Sequence, residues 1–210
     1  MAVNIYNQDC MIAMASMKDK EYDLAIVDPQ YNIGGDALHS GRALSGAGKL
    51  KDRVIQTMDT SWDSKPVHPE YINTLFRVTK NQIICGGNYF ALPISRGIVC
   101  WDKCQPWPNF SAWEMIWTSF YAPARIFRYD NRTSGKIHPT QKPVALYQWL
   151  LKNYAKQGDR ILDTHGGSCS SAIACDIMGF DADIFEIDKD YYEAALDRFN
   201  RHKQQQVMEF

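Results

Sequence analysis

The chain has 210 residues, 45% of them apolar and 12% aromatic, with 22% charged and a formal net charge of −1. Length and apolar content suffice for a single domain over residues 1–210 with a full core, and they exclude a disordered chain. No apolar run approaches the ~18 residues of a membrane span, and the first twenty residues, which include Asp9, Lys18, Asp19 and Lys20, do not read as a secretory signal.

Val3 to Tyr6 reads as a short strand, and Asp9 stands as the N-cap of a helix carrying Met11, Ile12, Met14 and Ala15. Leu24-Ala25-Ile26-Val27 is a continuous apolar run, the pattern of a strand covered on both faces, and it ends at Asp28-Pro29-Gln30-Tyr31. Residues 32–66 show no periodicity and repeated glycines, which predicts a mobile, functional loop. Its Gly46-Ala47-Gly48-Lys49 lacks the spacing of a phosphate loop. A helix is predicted from Pro69 to Val78 and a strand from Gln82 to Cys85, with further strands at Ile98–Trp101, Met115–Phe120 and Arg125–Tyr129. After His138-Pro139-Thr140-Gln141-Lys142-Pro143 comes a helix with Tyr147, Leu150, Leu151 and Tyr154 on one face. Then follow a strand from Arg160 to Asp163, a glycine turn at Gly166-Gly167-Ser168, a helix with Ile173 and Ile177, a strand from Ile184 to Ile187, and a last helix aligning Tyr192, Ala195, Leu196 and Phe199. The polar tail after Arg201 is expected to fray. This alternation predicts an α/β fold, a mostly parallel sheet with helices on both faces.

Asp163, Gly166, Gly167 and Glu186 form the order strand, glycine turn, helix, strand, acid. In an open α/β sheet the ligand lies beyond the carboxyl ends of the strands, glycine permits close backbone approach, and an acid about twenty residues on can accept ribose hydroxyls. The three-glycine spacing of a dinucleotide site is missing, which disfavours a nicotinamide cofactor and leaves an adenosine ligand without phosphates, such as S-adenosylmethionine, or an ordinary crossover. Asp28-Pro29-Gln30-Tyr31 suits work on a planar amine. The Asp28 carboxylate and the Pro29 carbonyl can each accept an N–H, and Tyr31 can stack on an unstacked base. A plain strand-ending Asp-Pro turn is the competing reading.

Together these segments resemble the β-class amino DNA methyltransferases, which methylate adenine N6 or cytosine N4. Asp28-Pro29-Gln30-Tyr31 resembles their catalytic D-P-P-Y, and Asp163-Thr164-His165-Gly166-Gly167-Ser168-Cys169 stands where they have D-P-F-x-G-x-G. Glu186-Ile187-Asp188, with Tyr191 and Arg198-Phe199 beyond, resembles their E-I-D segment, and His138 to Pro143 resembles the segment that closes over the methionine part of S-adenosylmethionine. Asp9-Cys10 matches the position that contacts its adenine. Catalytic motif first and cofactor motif last is the circularly permuted order of the class.

The resemblance implies a Rossmann-like methyltransferase fold and methyl transfer to the exocyclic amine of a flipped base in double-stranded DNA, without a metal. Adenine N6 is expected over cytosine N4, because an acid opening the motif is more typical of the adenine enzymes. Asp28, Pro29, Gln30 and Tyr31 would be catalytic. Asp9, Cys10, Asp28, His138, Thr140, Lys142, Pro143, Asp163 to Ser168 (including Thr164, His165, Gly166 and Gly167), Glu186, Ile187 and Asp188 would hold the cofactor. Two departures stand out: Gln30 replaces the second proline, which is either tolerated, alters base recognition or marks an inactive enzyme, and His165 and Cys169 replace a phenylalanine and a glycine. Methylation of RNA or of a protein amide is the other reading of such motifs. A solitary or phage-type modification enzyme is expected by analogy with small members.

Residues 96 to 142 carry seven bases and three acids, whereas residues 1 to 31 carry two bases and five acids. The basic region fits an anionic partner or a solvated face. Arg42, Lys49, Lys51 and Arg53 in the long loop, and Lys103, Arg125, Arg128, Arg132 and Lys136 in a target-recognition segment over 103–136, are the candidate nucleic-acid contacts. That segment is small, so a homodimer or a short site is expected. Trp101, Trp107, Trp113 and Trp117 interleave with these bases, and core packing is the commoner use of tryptophan. The six cysteines need not be staples in a chain of this size, so a reduced, cytoplasmic protein is expected, and Cys100 and Cys104 lack the second pair of a zinc site.

Overall fold

The computed structural model describes residues 2–31, 67–105, 111–130, 136–138 and 140–207. The predicted loop 32–66 with Arg42, Lys49, Lys51 and Arg53, and also Trp107, Arg132 and Pro139, lie outside the described residues. The strands are β1 (Val3–Asn7), β2 (Tyr22–Val27), β3 (Thr79–Cys85), β4 (Ile98–Asp102), β5 (Trp113–Thr118), β6 (Arg125–Arg128), β7 (Arg160–Asp163) and β8 (Asp181–Glu186). The helices are α1 (Cys10–Ser16), α2 (Tyr71–Val78), α3 (Val144–Tyr154), α4 (Ser170–Met178) and α5 (Lys189–Val207).

One sheet runs in the order β1-β8-β7-β2-β3-β5-β4-β6. Among the described strands only β5 is reversed, paired antiparallel to β3 and β4, while the other neighbours pair parallel. The fold is thus α/β with a mostly parallel sheet, as the sequence predicts. The described part of residues 103–136 contributes β5 and β6 to this sheet.

The apolar run of β2 explains its central place. Leu24 and Ile26 pack into one core with residues of α3, α4 and α5, and Ala25 and Val27 pack into the other with residues of α1 and α2. Burying each such aliphatic side chain is worth about 1.5–3 kcal/mol. Trp101 and Trp117 are core residues, and each indole donates to a carbonyl, Tyr129 and Pro93 respectively. Trp113 is about half exposed. All six cysteines are free.

Several predicted boundaries need correction: β5 is Trp113–Thr118 rather than Met115–Phe120, and β8 is Asp181–Glu186 rather than Ile184–Ile187. β3 begins at Thr79, directly after α2, because Thr79 Oγ1 caps the Leu75 carbonyl and lets the chain turn at once. The tail does not fray at Arg201: α5 continues to Val207, and His202 and Lys203 hold Asp176 of α4 at 3.1 and 2.7 Å. No helix among the described residues is long and apolar enough to cross a membrane.

The chain moves from β2 to β3 on one side and from β7 to β8 on the other. The order therefore reverses between β2 and β7, and in open α/β sheets ligands bind at such a switch point, beyond the carboxyl ends of the strands. Asp28 follows β2 and Thr164 follows β7, so both motifs flank that switch point.

Candidate active site

On the β2 side, the Asp28 side chain is only 15% exposed. Its Oδ2 lies 2.5 Å from Lys142 Nζ, and its Oδ1 accepts the Tyr31 hydroxyl at 2.6 Å. Lys142 Nζ also lies 3.0 Å from Glu114 Oε1 and donates to the Tyr31 oxygen at 3.3 Å. Tyr31 is within 3.0 Å of Glu114 Oε1, and Lys103 Nζ is 3.1 Å from Glu114 Oε2. Burial pushes the Asp28 carboxyl up, opposed by the Lys142 ammonium and reinforced by the Glu114 charge. Burial also works to raise Glu114, but Lys142 and Lys103 outweigh it and hold the carboxyl below its usual range. Burial disfavours the Lys142 ammonium, yet Asp28 and Glu114 outweigh it and keep Lys142 charged.

Asp28, Cys85 and Glu114 bring potential metal-ligand atoms within 4.8 Å of one another. Lys142 contacts both carboxylates there, so an ammonium already supplies the positive charge.

Tyr31 is seated by Gly86. That residue has φ +64, and a Cβ on it would fall 2.3 Å from the Tyr31 ring. The ring stacks on Tyr89 at 4.7 Å and 14°, and Tyr89 is 46% exposed. Gly86→Ala is expected to push Tyr31 out of place and strain the turn. Methyl transfer should fall by about 100-fold, with cofactor affinity little changed. Steady-state kinetics beside calorimetric binding would measure the split, and an unchanged rate would contradict the seating role.

The β7 side is a web of backbone contacts around the glycine turn. Gly166 N donates to the Phe185 carbonyl at 2.7 Å, and a Cβ at Gly166 would sit 2.9 Å from Ile184, so no larger residue fits between β7 and β8. Glu186 Oε2 accepts Gly167 N at 2.7 Å and Oε1 accepts Asp188 N at 2.9 Å. Burial raises the Glu186 carboxyl. Asp163 accepts Ser171 Oγ and His165 N, and burial pushes it up to about 7. Cys169, where the resembling family has glycine, keeps the left-handed φ of +53 and buries its thiol in the core. His165 is pushed down to about 4 by burial, and its Nδ1 lies 2.9 Å from Thr164 Oγ1. Tyr71 meets Thr164 Oγ1 at 2.6 Å and packs edge-on against the His165 ring. Asp9 caps α1 through Met11 N, and the neighbouring Cys10 thiol is pushed up to about 12 by burial. Ile187 is 67% exposed beside these polar groups.

The segment before α3 ties the halves together. Lys142 reaches Asp28 with its ammonium, while its backbone carbonyl accepts Ser170 Oγ at 2.7 Å, at the first turn of α4. His138 lies 3.7 Å from a Cβ built on Gly167, packs against Tyr191 with ring centroids 4.4 Å apart and planes tilted by 59°, and has Thr140 Oγ1 on its Nδ1 at 3.1 Å. Burial pushes its imidazole down to about 4. Pro143 is the N-cap of α3. Arg198 donates to the Ser168 carbonyl at 2.6 Å, which anchors the turn to α5.

Of the predicted nucleic-acid contacts, Lys103 is drawn inward to Glu114. Arg128 stays 71% exposed beside Asp102, Arg125 pairs with Asn153, and Lys136 is lowered by its own burial and by Lys103. Glu114 was not among the residues that sequence motifs single out. Its signal was an acid interrupting the apolar run Trp113-Glu114-Met115-Ile116-Trp117 near its start. Only the reversal of β5 brings the start of that run to the carboxyl edge of the parallel strands, where Asp28 lies.

A family model for N6/N4 methyltransferases, described as DNA methylase, matches residues 101–197. The chain is 24% identical over 228 aligned residues to the type II methyltransferase M2.MboI of Moraxella bovis, covering 81% of this chain and 78% of that one. Its fold matches the crystal structure of the M1.HpyAVI–SAM complex with a TM-score of 0.63 at 17% identity, over 94% of this chain and 100% of the other. It matches the cytosine-N4-specific PvuII DNA methyltransferase with a TM-score of 0.62 at 12% identity, over 95% and 86%. By these likenesses, and with the Asp28 and Asp163 segments meeting at one edge of the sheet, the chain is similar to the amino DNA methyltransferases and shares their fold.

Proposed function

We propose that the chain transfers a methyl group from S-adenosylmethionine to the exocyclic amine of a flipped base in double-stranded DNA, with adenine N6 as the acceptor. The observation that carries this reading is Lys142, whose carbonyl accepts the Ser170 hydroxyl at the start of the helix after the glycine turn while its ammonium holds the carboxylate of the amine site. A single residue thus spans the two half-sites that a donor and an acceptor would occupy.

The residues fit the donor. Glu186 can accept ribose hydroxyls in addition to its two backbone amides, since each carboxylate oxygen has more than one lone pair. The exposed Ile187 side chain offers an apolar wall for a purine. Asp9 and Cys10 would contact the same purine, and His138, Thr140, Lys142 and Pro143 would close over the methionine end. The bound donor supplies a positively charged sulfonium, so the electrophile comes from it rather than from the protein.

The chain's own groups then orient the amine. Asp28 and the Pro29 carbonyl accept its two N–H groups and turn the lone pair toward the methyl carbon. Tyr31 stacks on the base, and its free-state stack with Tyr89 has the geometry such a ring would take. Rate enhancement comes from positioning and preorganised acceptors. Gln30 adds an amide beside the base. Arg125, Arg128 and Lys136, with Arg42, Lys49, Lys51, Arg53 and Arg132 outside the described residues, are the proposed phosphate contacts.

Methyl-labelled S-adenosylmethionine offered with DNA, RNA and protein in parallel tests the substrate class. Label in DNA is expected. Label in RNA or protein alone would overturn the DNA reading. Binding of cofactor and DNA without transfer, with transfer restored by Gln30→Pro, would mark an impaired enzyme instead.

A further inference from the structure

Asp28 and Glu114 are two carboxylates that share one ammonium and one hydroxyl. Lys142 Nζ contacts Asp28 Oδ2 at 2.5 Å and Glu114 Oε1 at 3.0 Å. The Tyr31 hydroxyl lies 2.6 Å from Asp28 Oδ1 and 3.0 Å from Glu114 Oε1. A hydroxyl has one proton and cannot satisfy both oxygens fully at once. If Asp28 is protonated, it can donate to the Tyr31 oxygen while Tyr31 donates to Glu114, with no heavy atom moved. The network therefore has room for one more proton, and Lys142 keeps a carboxylate partner when that proton arrives. Without Glu114, protonating Asp28 would leave a buried, unpaired ammonium, which is strongly unfavourable.

We propose that Glu114 is a positioning residue for methyl transfer: by holding Lys142, it lets Asp28 take up the proton that the methylated amine must shed. The inference rests on the proposed transfer to an exocyclic amine. The amine lone pair forms the N–C bond, the S–C bond breaks, and its electron pair returns to sulfur. The methylated nitrogen then carries the positive charge and releases one proton to the Asp28 carboxylate. Before the step Asp28 and Glu114 balance Lys142 and the sulfonium. After it, neutral Asp28 stands beside the Lys142–Glu114 pair, so the buried charge is conserved. Lys103, 3.1 Å from the other Glu114 oxygen, keeps Glu114 the ionised member.

The groups that face Asp28 agree with this division. Lys142 lowers it, and Glu114 across the cluster raises it. Tyr31 donates to it from its own segment. Asp28 in turn raises the Cys85 thiol on β3 and the Asp163 carboxyl on β7. It likewise raises the hydroxyls of Tyr71 on α2 and Tyr147 on α3.

The test follows the Asp28 carboxyl by carbon-13 NMR titration, without cofactor, in the full chain and in Glu114→Gln, together with the pH profile of single-turnover transfer. In the unsubstituted chain Asp28 is expected to titrate above the usual value of about 3.9. In Glu114→Gln the midpoint should fall by about one unit or more, because Lys142 then serves Asp28 alone. The acid limb of the rate should move down with it and the plateau should drop about tenfold or more, with cofactor affinity unchanged. Glu114→Asp should recover most of the midpoint. Lys103→Met keeps the test open should Glu114→Gln not fold, and it should move Asp28 upward. An Asp28 midpoint unmoved in these variants would overturn the role of Glu114. A shifted midpoint in a chain that transfers no methyl to any nucleic acid would instead overturn the function and leave the coupling intact.

Discussion

Asp28→Ala is expected to reduce methyl transfer by on the order of 10³-fold while leaving S-adenosylmethionine affinity nearly unchanged. The carboxylate lies on the β2 side of the switch point, and the donor-side contacts of Glu186, Gly166 and Gly167 are made without it. The fold should tolerate the change, because Lys142 retains Glu114 at 3.0 Å and is not left an unpaired buried charge. Asp28→Asn keeps one acceptor oxygen and should retain more activity than Asp28→Ala. Single-turnover rates with calorimetric binding measure both quantities. Equal losses of rate and cofactor affinity would place Asp28 in the wrong role.

Glu186→Ala should have the opposite profile. Its carboxylate organises the glycine turn through Gly167 N and the start of α5 through Asp188 N, and it faces the proposed ribose. A hydrogen bond to a charged group is worth about 1.5–3 kcal/mol, so losing two ribose contacts predicts a cofactor Kd weaker by about 100-fold or more. At saturating cofactor the transfer rate should stay close to that of the unsubstituted chain. A normal Kd, read by calorimetry, would contradict the ribose assignment.

Much of this site was legible because its signals are local. The run Leu24 to Val27 marks a strand buried on both faces, and Asp28 sits at its end wherever the strand falls in the sheet. Gly166, Gly167 and Glu186 keep a sequence spacing that a βαβ unit converts directly into proximity. Glu114 was not legible, because its place depends on strand direction. β5 pairs antiparallel with β3, with Cys85 opposite Ile116, and this register carries Glu114 past the end of β3 toward Asp28. The chain shows no local mark of that reversal.

The motif from His138 to Pro143 implies a cofactor role for Lys142. The pairing of its ammonium with Asp28 and Glu114 depends on contacts across 114 and 28 residues of sequence, respectively, from the two carboxylates' own positions in the fold. Cys169 illustrates the reverse case. Sequence comparison marked it as a departure from glycine, yet the backbone still adopts φ +53 there, and the thiol fills core space that a glycine would leave empty. The tail opens with the polar run His202 to Gln206, yet it stays helical to Val207, and His202 and Lys203 contact Asp176 of α4, a link that composition does not disclose.

The measurement that bears most directly on the account is mass analysis of nucleosides from DNA incubated with the protein and S-adenosylmethionine carrying a heavy methyl group. N6-methyladenosine in its deoxy form carrying the heavy label is expected, and none from the Asp28→Ala chain. Label on cytosine N4 would keep the site and change the base. Label on a ring carbon, or no label in any nucleoside, would contradict transfer to an amine held by Asp28.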